Sequence, residues 1–568
     1  MNNQAYTLAA ALESLARKVP QQWEKSACGI TRSMHSIPAL LDKHAYSPAT
    51  DRVRVLIMGG LSGRSDDVTL VLQALEHFAN EGDHLANRIS LSAVPCVNFD
   101  VLTSGHPTAP DALRDLSSGY PPDGNFYYDA DAPEKRYIWR WACFQAPDLV
   151  LEIRSGDAVR WEANDAVGFL PLTIGAGYIA DGDSLLSALG QGRPDGLGPI
   201  PGLRLTVSKA DLAAEMGRLW QVIGNARGWT PSPARLELVR RRSRSQLEIA
   251  SILASVYGHK LEPVVYTQGV AISGRLRLAQ LAPGSGNLIR DVAPVVEAFL
   301  SGEKDPIGEQ PGGSTLGGVM WAYDLARQAG DQRASDLLIR AADCVQASGQ
   351  GEAPTSADPD FRVEDMFNIS AVLGRAFRLS GDHQYLEVMK RFLLDSNIQQ
   401  GNGLFWHCRS APYFWGRGNG FAALGFAEAL TYLPQDDPQR DTLTAMHLKH
   451  LEALRGIQQP SGMYWQMLDI PGSYQEFTST CMIGYAMARG LRRGWLDSSY
   501  RDSVGLAWQG VSERIDDEGK VVDACISTGV QKSVREYLDR PAVFGFDDRS
   551  GALALWFAIE MERLRRGV

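Results

Sequence analysis

The sequence lacks the features that would place the chain in a membrane or on a nucleic acid. No run approaches the roughly 18 consecutive apolar residues that a membrane-spanning helix needs. Residues 1–25 contain no basic segment followed by an apolar one, so no secretory signal is expected. The net charge of -10 argues against general binding to nucleic acids or anionic membranes.

Cysteine is scarce and scattered along the chain. The seven cysteines are odd in number and form no Cys-x-x-Cys pair. A dense disulfide framework or a zinc ribbon is therefore not expected. Together with the missing signal segment, this pattern predicts a cytoplasmic protein with reduced thiols.

The first half of the 568 residues has the pattern of an α/β domain. Short β-branched runs alternate with helical stretches, which predicts a parallel or mixed sheet covered on both faces. The predicted strands lie at residues 52–58, 89–94, 149–153 and 203–207.

After about Trp229 the pattern changes to successive amphipathic helices. About a dozen segments carry apolar residues at helical spacing. Their paired succession predicts a closed helical toroid, and an open helical array is the alternative. We therefore predict an α/β domain at residues 1–235, a helical linker at 236–262 and an all-α domain at 263–568.

The segment Tyr413–Gly420 brings together an aromatic ring, a guanidinium and an amide. Its three glycines disfavour a helix, so we predict an exposed loop that enters a helix at Gly420. Arg417 offers a forked donor to a carboxylate, and Trp415 offers a flat face to a sugar ring. A glycine-rich turn with purely structural anchors is an equally good interpretation of the composition.

The pattern Trp-x-Arg-Gly-Asn-Gly in this segment resembles the signature loop of glycoside hydrolase family 105, and it is similar to the Trp-x-Arg-Gly-Gln pattern of family 88. Other segments follow in the order of these families. Val363–Asn368 resembles their catalytic-aspartate segment, Trp406-His407 precedes the loop, and Gln475–Thr480 and Asp547–Gly551 match later helix-joining segments. The resemblance covers residues 260–568 and implies an (α/α)6 barrel.

The resemblance also implies an unusual hydrolysis. Members of these families hydrate the C4=C5 double bond of the unsaturated uronic acid that a polysaccharide lyase leaves on an oligosaccharide. A carboxyl group protonates C4, and a water deprotonated by the same group adds at C5; the hemiacetal then opens and releases the sugar. No metal ion or organic cofactor takes part. The implied partner is an oligosaccharide, without nucleic acid or membrane, and a homo-oligomer is possible.

Two positions depart from the family pattern. Glu364 stands where the families carry the catalytic aspartate, and Asp365 follows it. Adjacent helical residues point about 100° apart, so we expect only one of them to face the barrel axis, and the register favours Glu364. The segment Pro311–Gly318, which corresponds to a second family aspartate, has no carboxylate. The structural alternative is an acidic pair favoured by the helix dipole.

The same resemblance implies six substrate-binding residues: Trp406, His407, Trp415, Arg417, Asn419 and Glu476. Arg417 would bind the uronate carboxylate and Trp415 would stack on the sugar. Asn419 would hold a hydroxyl group or the loop itself, and His407 is either substrate-facing or structural. Glu476 is left open between a helix cap and a second acid.

The substituted carboxylates keep two other functions open. One is a glycosidase or lyase that acts on intact uronosides by a changed mechanism. The other is a non-catalytic carbohydrate-binding protein.

In the first half, Leu56–Ser65 resembles the strand and turn of zinc carboxypeptidase-like proteins. The family's His and Glu zinc ligands in this turn correspond to Ser62 and Ser65. Pro147–Ser155 resembles the strand that delivers the third ligand, which corresponds to Arg154. The resemblance thus implies a carboxypeptidase-like domain without its metal ligands, because serine binds zinc poorly and arginine stays cationic. A repurposed polar pocket could be formed by Asp66, Asp67, Arg154 and Asp157.

Overall fold

The computed structural model describes residues 3–47, 50–104, 115–122, 131–168, 174–192, 195–225, 229–282 and 288–568. The chain forms two compact units. The first comprises Met1–Ser243 with Ile470–Tyr474, and the second comprises Arg244–Asp469 with Gln475–Val568.

The first unit is built on a mixed sheet. Its strands are β1 (Trp23–Ile30), β2 (Ser36–Asp42), β3 (Val53–Met58), β4 (Ile89–Val94), β5 (Leu149–Ser155), β6 (Arg160–Ala163), β7 (Gly177–Tyr178) and β8 (Gly202–Val207). They lie in the order β1-β2-β4-β3-β5-β8-β6-β7. β4, β3, β5 and β8 are the four strands that the sequence predicts, and they run parallel to one another. Their side chains are almost all buried, as expected of strands covered on both faces.

Helices accompany this sheet. They are α1 (Asn3–Lys18), α2 (Ser65–Asn80), α3 (Asp83–Ala86), α4 (Phe99–Ser104), α5 (Pro133–Gln145), α6 (Leu185–Leu189), α7 (Leu212–Asn225) and α8 (Pro233–Ser243). One hydrophobic cluster joins apolar side chains of α1, α2 and α7 to one face of β3, β4, β5 and β8.

The second unit is mainly helical. Its helices are α9 (Gln246–Val256), α10 (Tyr266–Leu281), α11 (Leu288–Leu300), α12 (Gly313–Gly317), α13 (Trp321–Ala329), α14 (Gln332–Asp343), α15 (Val363–Ser380), α16 (Gln384–Asp395), α17 (Gly416–Tyr432), α18 (Arg440–Ile457), α19 (Phe477–Arg493), α20 (Arg501–Glu513), α21 (Val534–Leu538) and α22 (Asp548–Arg566). Two antiparallel pairs complete it: β9 (Tyr464–Trp465) with β10 (Gln475–Glu476), and β11 (Val521–Cys525) with β12 (Ala542–Gly545).

A ring of helices forms the centre of this unit. α10, the α12–α13 pair, α15, α17, α19 and α22 each pack against the next, and α22 packs back against α10. Close approach is possible where glycine faces a neighbouring backbone. A Cβ added at Gly425 of α17 would lie 2.5 Å from the carbonyl oxygen of Met366 in α15. We call this set the helical ring.

None of the helices in the described ranges is both long enough and apolar enough to cross a bilayer.

Candidate active site

Five helices of the ring begin around one cavity of about 810 Å³. Residues in the first turns of α10, α12, α15, α17 and α22 contribute to its wall; they include Tyr266, Gly313, Glu364, Arg417 and Arg549. Free backbone N–H groups and the positive ends of helix dipoles favour an anion near such helix starts.

Glu364 and Asp365 both line this cavity. The prediction that only one of them can face it is therefore wrong. The reason is their position: α15 begins at Val363, so both carboxyl groups belong to its first turn and reach the cavity from the end of the helix rather than from its side.

Glu364 is held by a buried histidine. Its Oε1 lies 3.1 Å from His407 Nε2, and His407 Nδ1 lies 2.5 Å from the hydroxyl oxygen of Tyr537. Oε2 of Glu364 has no hydrogen-bond partner among the described residues. Burial opposes ionisation of Glu364, but the charge and hydrogen bond of His407 outweigh burial and lower the pKa of this carboxyl group. Glu364 is therefore poised as a carboxylate.

The surroundings of Asp365 shift its pKa in the opposite direction. Burial, helped by the negative charges of Glu364 and Asp358, raises its pKa to about 7. Its Oδ2 accepts a hydrogen bond of 2.8 Å from the backbone N–H of Asp358. Its Oδ1 lies against Gly313, where an added Cβ would come within 1.9 Å of it. Asp365 thus brings a carboxyl group to the Pro311–Gly318 segment, which has none of its own.

Arg417 is buried, and its forked guanidinium is already engaged. Nη1 donates to the carbonyl oxygen of Cys525 at 2.6 Å and Nη2 to that of Ile526 at 2.9 Å. The guanidinium carbon lies 4.6 Å from the centre of the Trp415 ring. In this geometry Arg417 ties the end of β11 to the start of α17, although it still borders the cavity.

Arg549 is a cavity residue that the sequence analysis did not assign to the site. Its Nε donates to the hydroxyl of Tyr266 at 2.8 Å, and its Nη1 lies 3.4 Å from the carbonyl oxygen of Cys525. The signal for it was the Asp547–Gly551 segment, which matches the families but gave no role to the arginine. Arg362, on the cavity wall with a side chain 41% exposed, is a second cation there, and its Nε lies 2.9 Å from Asp358 Oδ2.

The two tryptophans predicted for substrate binding have different surroundings. Trp415 lines the cavity but is only 1% exposed, and its ring centre lies 4.5 Å from that of His407. Trp406 is half-buried and packs against the hydrophobic core of the helical unit.

Asn419 holds the backbone around it. Its Oδ1 accepts from the N–H of Phe405 at 2.8 Å, and its Nδ2 donates to the carbonyl oxygens of Phe405 and Trp415, both at 3.0 Å. Of the two roles left open by the sequence, these contacts correspond to holding the loop.

Glu476 is the N-cap of α19. One oxygen accepts from the N–H of Thr478 at 3.0 Å, and the other accepts from the N–H of Ser479 at 2.5 Å. Cys525 N–H donates to the first oxygen at 2.9 Å. Glu476 is fully buried, and these contacts correspond to the cap rather than to a second acid.

The prediction of an exposed loop over Tyr413–Gly420 is wrong from Gly416 onward. α17 begins at Gly416, and Trp415–Gly420 are all buried. The glycines allow close packing of the helix start. A Cβ at Gly416 would lie 2.3 Å from the carbonyl oxygen of Trp465, and one at Gly420 would lie 2.7 Å from the Met482 sulfur.

The positions of the first unit that correspond to zinc ligands in carboxypeptidase-like proteins carry polar contacts of another kind. Ser62 Oγ lies 3.2 Å from Asp67 Oδ2, and Arg154 Nε donates to Glu152 at 2.6 Å. Ser65 is the first residue of α2. No group of three or more His, Cys, Asp and Glu side chains suited to a metal ion occurs in the described part of the chain.

A cavity of about 370 Å³ lies at these residues of the first unit. Of the four residues predicted to form a polar pocket, Asp67 and Arg154 line it. Asp66 and Asp157 are exposed.

Comparison with known proteins identifies relatives of the helical unit. The model of the Glycosyl Hydrolase Family 88 matches residues 259–565. An unsaturated 3S-rhamnoglycuronyl hydrolase of Alteromonas sp. (strain LOR) is 30% identical over 113 residues, which are 19% of this chain and 27% of that protein. An unsaturated rhamnogalacturonyl hydrolase of Bacillus subtilis is 29% identical over 128 residues, 22% of this chain and 36% of that protein. The matched segments thus span well under half of these relatives.

A solved structure supports the likeness at the level of the fold. The C. acetobutylicum glycoside hydrolase from family 105 superposes with a TM-score of 0.51 at 17% identity, covering 56% of this chain and 98% of that one. At this identity the likeness shows the fold alone.

Proposed function

The chain belongs to glycosyl hydrolase family 88, and from this premise we propose that its cavity removes an unsaturated uronic acid from an oligosaccharide by hydrating the C4=C5 double bond. The observation that carries the proposal is the pair Glu364 and Asp365, whose surroundings move their pKa values in opposite directions. Two neighbouring carboxyl groups separated in this way can serve as base and acid at the same pH. The activities named for the two curated relatives support the same substrate class.

We assign the acid to Asp365 and the base to Glu364. Protonated Asp365 gives its proton to C4, and the ring oxygen stabilises the positive charge that develops at C5. Water attacks C5 and loses a proton to Glu364, whose position His407 fixes. The resulting C5 hemiketal opens by breaking its bond to the ring oxygen, which leaves a ketone at C5. C1 then carries a hydroxyl and the oxygen of the next sugar, and it collapses to an aldehyde with release of that sugar. One water is consumed; Glu364 releases to solvent the proton that it took from this water, and solvent returns a proton to Asp365.

Individual cations on the cavity wall support an anionic substrate, although the five lining carboxyl groups outnumber the three lining arginines. Arg549 and Arg362 border it, and five helices begin around it. A uronate carboxylate would be stabilised by these cations and by the helix starts. We assign carboxylate binding to Arg549 in the first place, because the fork of Arg417 is satisfied by backbone carbonyls.

The proposed domain assignments follow from the same contacts. The closed succession of inner helices, with further helices between them along the chain, supports an (α/α)6 barrel for the helical unit.

The parallel strands and the cavity of the first unit support a carboxypeptidase-like domain that has lost its metal ligands. Stoichiometric zinc retained by the purified protein would contradict that loss. A cytoplasmic location and a homo-oligomer stay predictions.

The test of the reaction is the ultraviolet absorbance of the conjugated double bond. Unsaturated glucuronyl and rhamnogalacturonyl disaccharides are mixed with the full chain, and the absorbance is expected to fall with time. Glu364→Gln is expected to abolish turnover while calorimetry still detects binding of the disaccharide. Glu303→Gln, the same change at an exposed residue, is the matched control and is expected to keep full activity.

Three outcomes would redirect the proposal. If Asp365→Asn retains turnover while Glu364→Gln does not, Glu364 acts alone as acid and base. If neither disaccharide loses absorbance but both bind, the carbohydrate-binding alternative replaces the hydrolase. Turnover of an intact uronoside instead would favour a changed mechanism.

A further inference from the structure

A second cavity of the helical unit lies at the opposite ends of the ring helices. It has a volume of about 280 Å³ and is lined from α10, α13 and the last turns of α17, α19 and α22. The candidate active site is lined from the first turns of most of these helices. Since a helix rises 1.5 Å per residue, the two cavities are separated by roughly 20 Å.

Arginine dominates the wall of this second cavity. The lining arginines are Arg277, Arg327, Arg489, Arg492, Arg493 and Arg563, and Asp324 is the one lining carboxylate among the described residues. Three further charged side chains contact this group from the core: Arg375, Glu428 and Glu560. Seven arginines therefore face three carboxylates, in a chain whose net charge is -10.

The core carboxylates are already committed to part of this cluster. Glu428 lies 2.7 Å from Arg375 Nη1 and 3.4 Å from Arg489 Nη1. Glu560 lies 3.1 Å from Arg489 Nη2 and 2.6 Å from Arg492 Nε. Burial would raise the pKa of both acids, but the arginines lower it to about 2. These acids are thus neutralised by the inner arginines.

The outer arginines are left with excess positive charge. Arg563 donates to the side-chain oxygen of Gln280 at 3.1 Å, which is a neutral partner. Burial and the charges of Arg492 and Arg489 lower the pKa of Arg493, and burial and Arg277 lower that of Arg563.

Helix ends alone do not account for this concentration of arginine. Cations are favoured at helix C-termini because the last carbonyl groups are unsatisfied. Here, however, Arg277 donates to Asp324 and Arg492 donates to Glu560, rather than to those carbonyls. Ion pairs therefore hold these arginines in place, and the positive charge that the carboxylates do not compensate is available to a ligand.

We propose that this cavity binds a doubly charged tetrahedral oxyanion, a phosphate or sulfate group. Guanidinium forks pair with such oxygens through two parallel hydrogen bonds. A dianion matches the charge surplus better than a single carboxylate does. The group can come from a free ion or from an ester on a small sugar, and the binding experiment separates these sources.

The experiment measures binding to the full chain by calorimetry at constant ionic strength. The probes are inorganic phosphate, inorganic sulfate, glucose 6-phosphate and acetate. We expect the dianions to bind and acetate to bind more weakly. The double variant Arg493→Gln/Arg563→Gln is expected to raise the Kd for phosphate by at least about tenfold, because two charge-assisted contacts are lost. Arg501→Gln, the same change at an exposed residue of α20, is the matched control and should leave the Kd unchanged.

A second measurement keeps the test independent of the variants' own stability. The Tm of the wild type is expected to rise with phosphate concentration, and that of the double variant to stay constant. Tighter binding of glucose 6-phosphate than of inorganic phosphate would identify an ester as the ligand, and the reverse would identify a free ion. Absence of binding by every dianion, or equal Kd values for wild type and double variant, would overturn the proposal. The readout does not involve hydrolysis, so it stands apart from the proposed reaction.

Discussion

The raised pKa of Asp365 predicts how the stability of the helical unit changes with pH. Burial, with the charges of Glu364 and Asp358, raises this pKa from 3.8 to about 7 in the folded protein. A carboxyl group with a higher pKa in the folded state binds its proton more tightly there. The folded state therefore loses stability as the pH rises from the unfolded pKa to the folded one. Asparagine cannot ionise, so Asp365→Asn removes this loss.

The size of the effect follows from the shift. One pKa unit corresponds to 1.36 kcal/mol, so a shift of about 3 units is worth about 4 kcal/mol well above pH 7. Part of this loss occurs below about pH 5, where unfolded chains already ionise. Between about pH 5 and pH 8 we therefore expect the stability of Asp365→Asn, relative to wild type, to increase by about 3 kcal/mol.

Urea unfolding followed by far-ultraviolet circular dichroism, to which the helices of both units contribute, measures this difference at several pH values. Glu364→Gln is the internal control. Despite burial, His407 lowers the pKa of Glu364, so its ionised form contributes stability that is present above the unfolded pKa and lost as the pH falls through the folded one. Its free-energy difference from wild type must therefore change with the opposite sign, and at pH values below the ordinary carboxyl pKa of 4.5 rather than between about pH 5 and pH 8. A difference for Asp365→Asn that stays constant, or that falls with rising pH, would refute the reasoning.

Of two further predictions, one concerns the wall of the active site and the other concerns the buried backbone that Asn419 holds. Gly313→Ala would place a Cβ 1.9 Å from Asp365 Oδ1 and displace that carboxyl group, so we expect kcat to fall by about 100-fold. Gly312→Ala is the matched control, since a Cβ there meets nothing within 4 Å, and equal initial rates for the two variants would contradict the assigned role of Asp365. Asn419→Ala removes the side-chain partners of the buried N–H and carbonyl groups of Phe405, whereas the Trp415 carbonyl still accepts from the N–H of residue 419. The substitution is expected to lower the free energy of unfolding by about 3 kcal/mol. Asn402→Ala, at an exposed position, should lower it by less than about 1 kcal/mol in the same urea titration, and similar losses for both would argue against the loop-holding role.

The sequence predicts the central sheet but not its edges. β3, β4, β5 and β8 have continuous apolar runs because they are covered on both faces, and all four were predicted. β1 contains Glu24 and Lys25 and is partly exposed, so its composition gives no strand signal. It forms through antiparallel pairing with β2, which is a tertiary preference rather than a local one.

Some features of the candidate active site could not be predicted from the sequence for a similar reason, because they depend on tertiary contacts. The order of the family segments found Glu364 and His407, which the structure brings within 3.1 Å of each other. The partners of Arg417 were not predictable, because the Cys525 and Ile526 carbonyls come from a segment more than 100 residues away. The helical start at Gly416 was missed because glycine disfavours a helix locally, whereas its small size is required by the backbone of Trp465.

The hydrogen bond between Tyr266 and Arg549 joins the first and last helices of the ring across 283 positions. During synthesis the cavity therefore has no complete wall until α22 has left the ribosome. Contacts of such long sequence separation form slowly, because a large loop must close first. Until then the buried sides of α10 and α19 lack their partner, and exposed apolar surface of this kind promotes aggregation of a nascent chain. Catalysis by this chain, on our proposal, therefore requires that α22 has packed against α10.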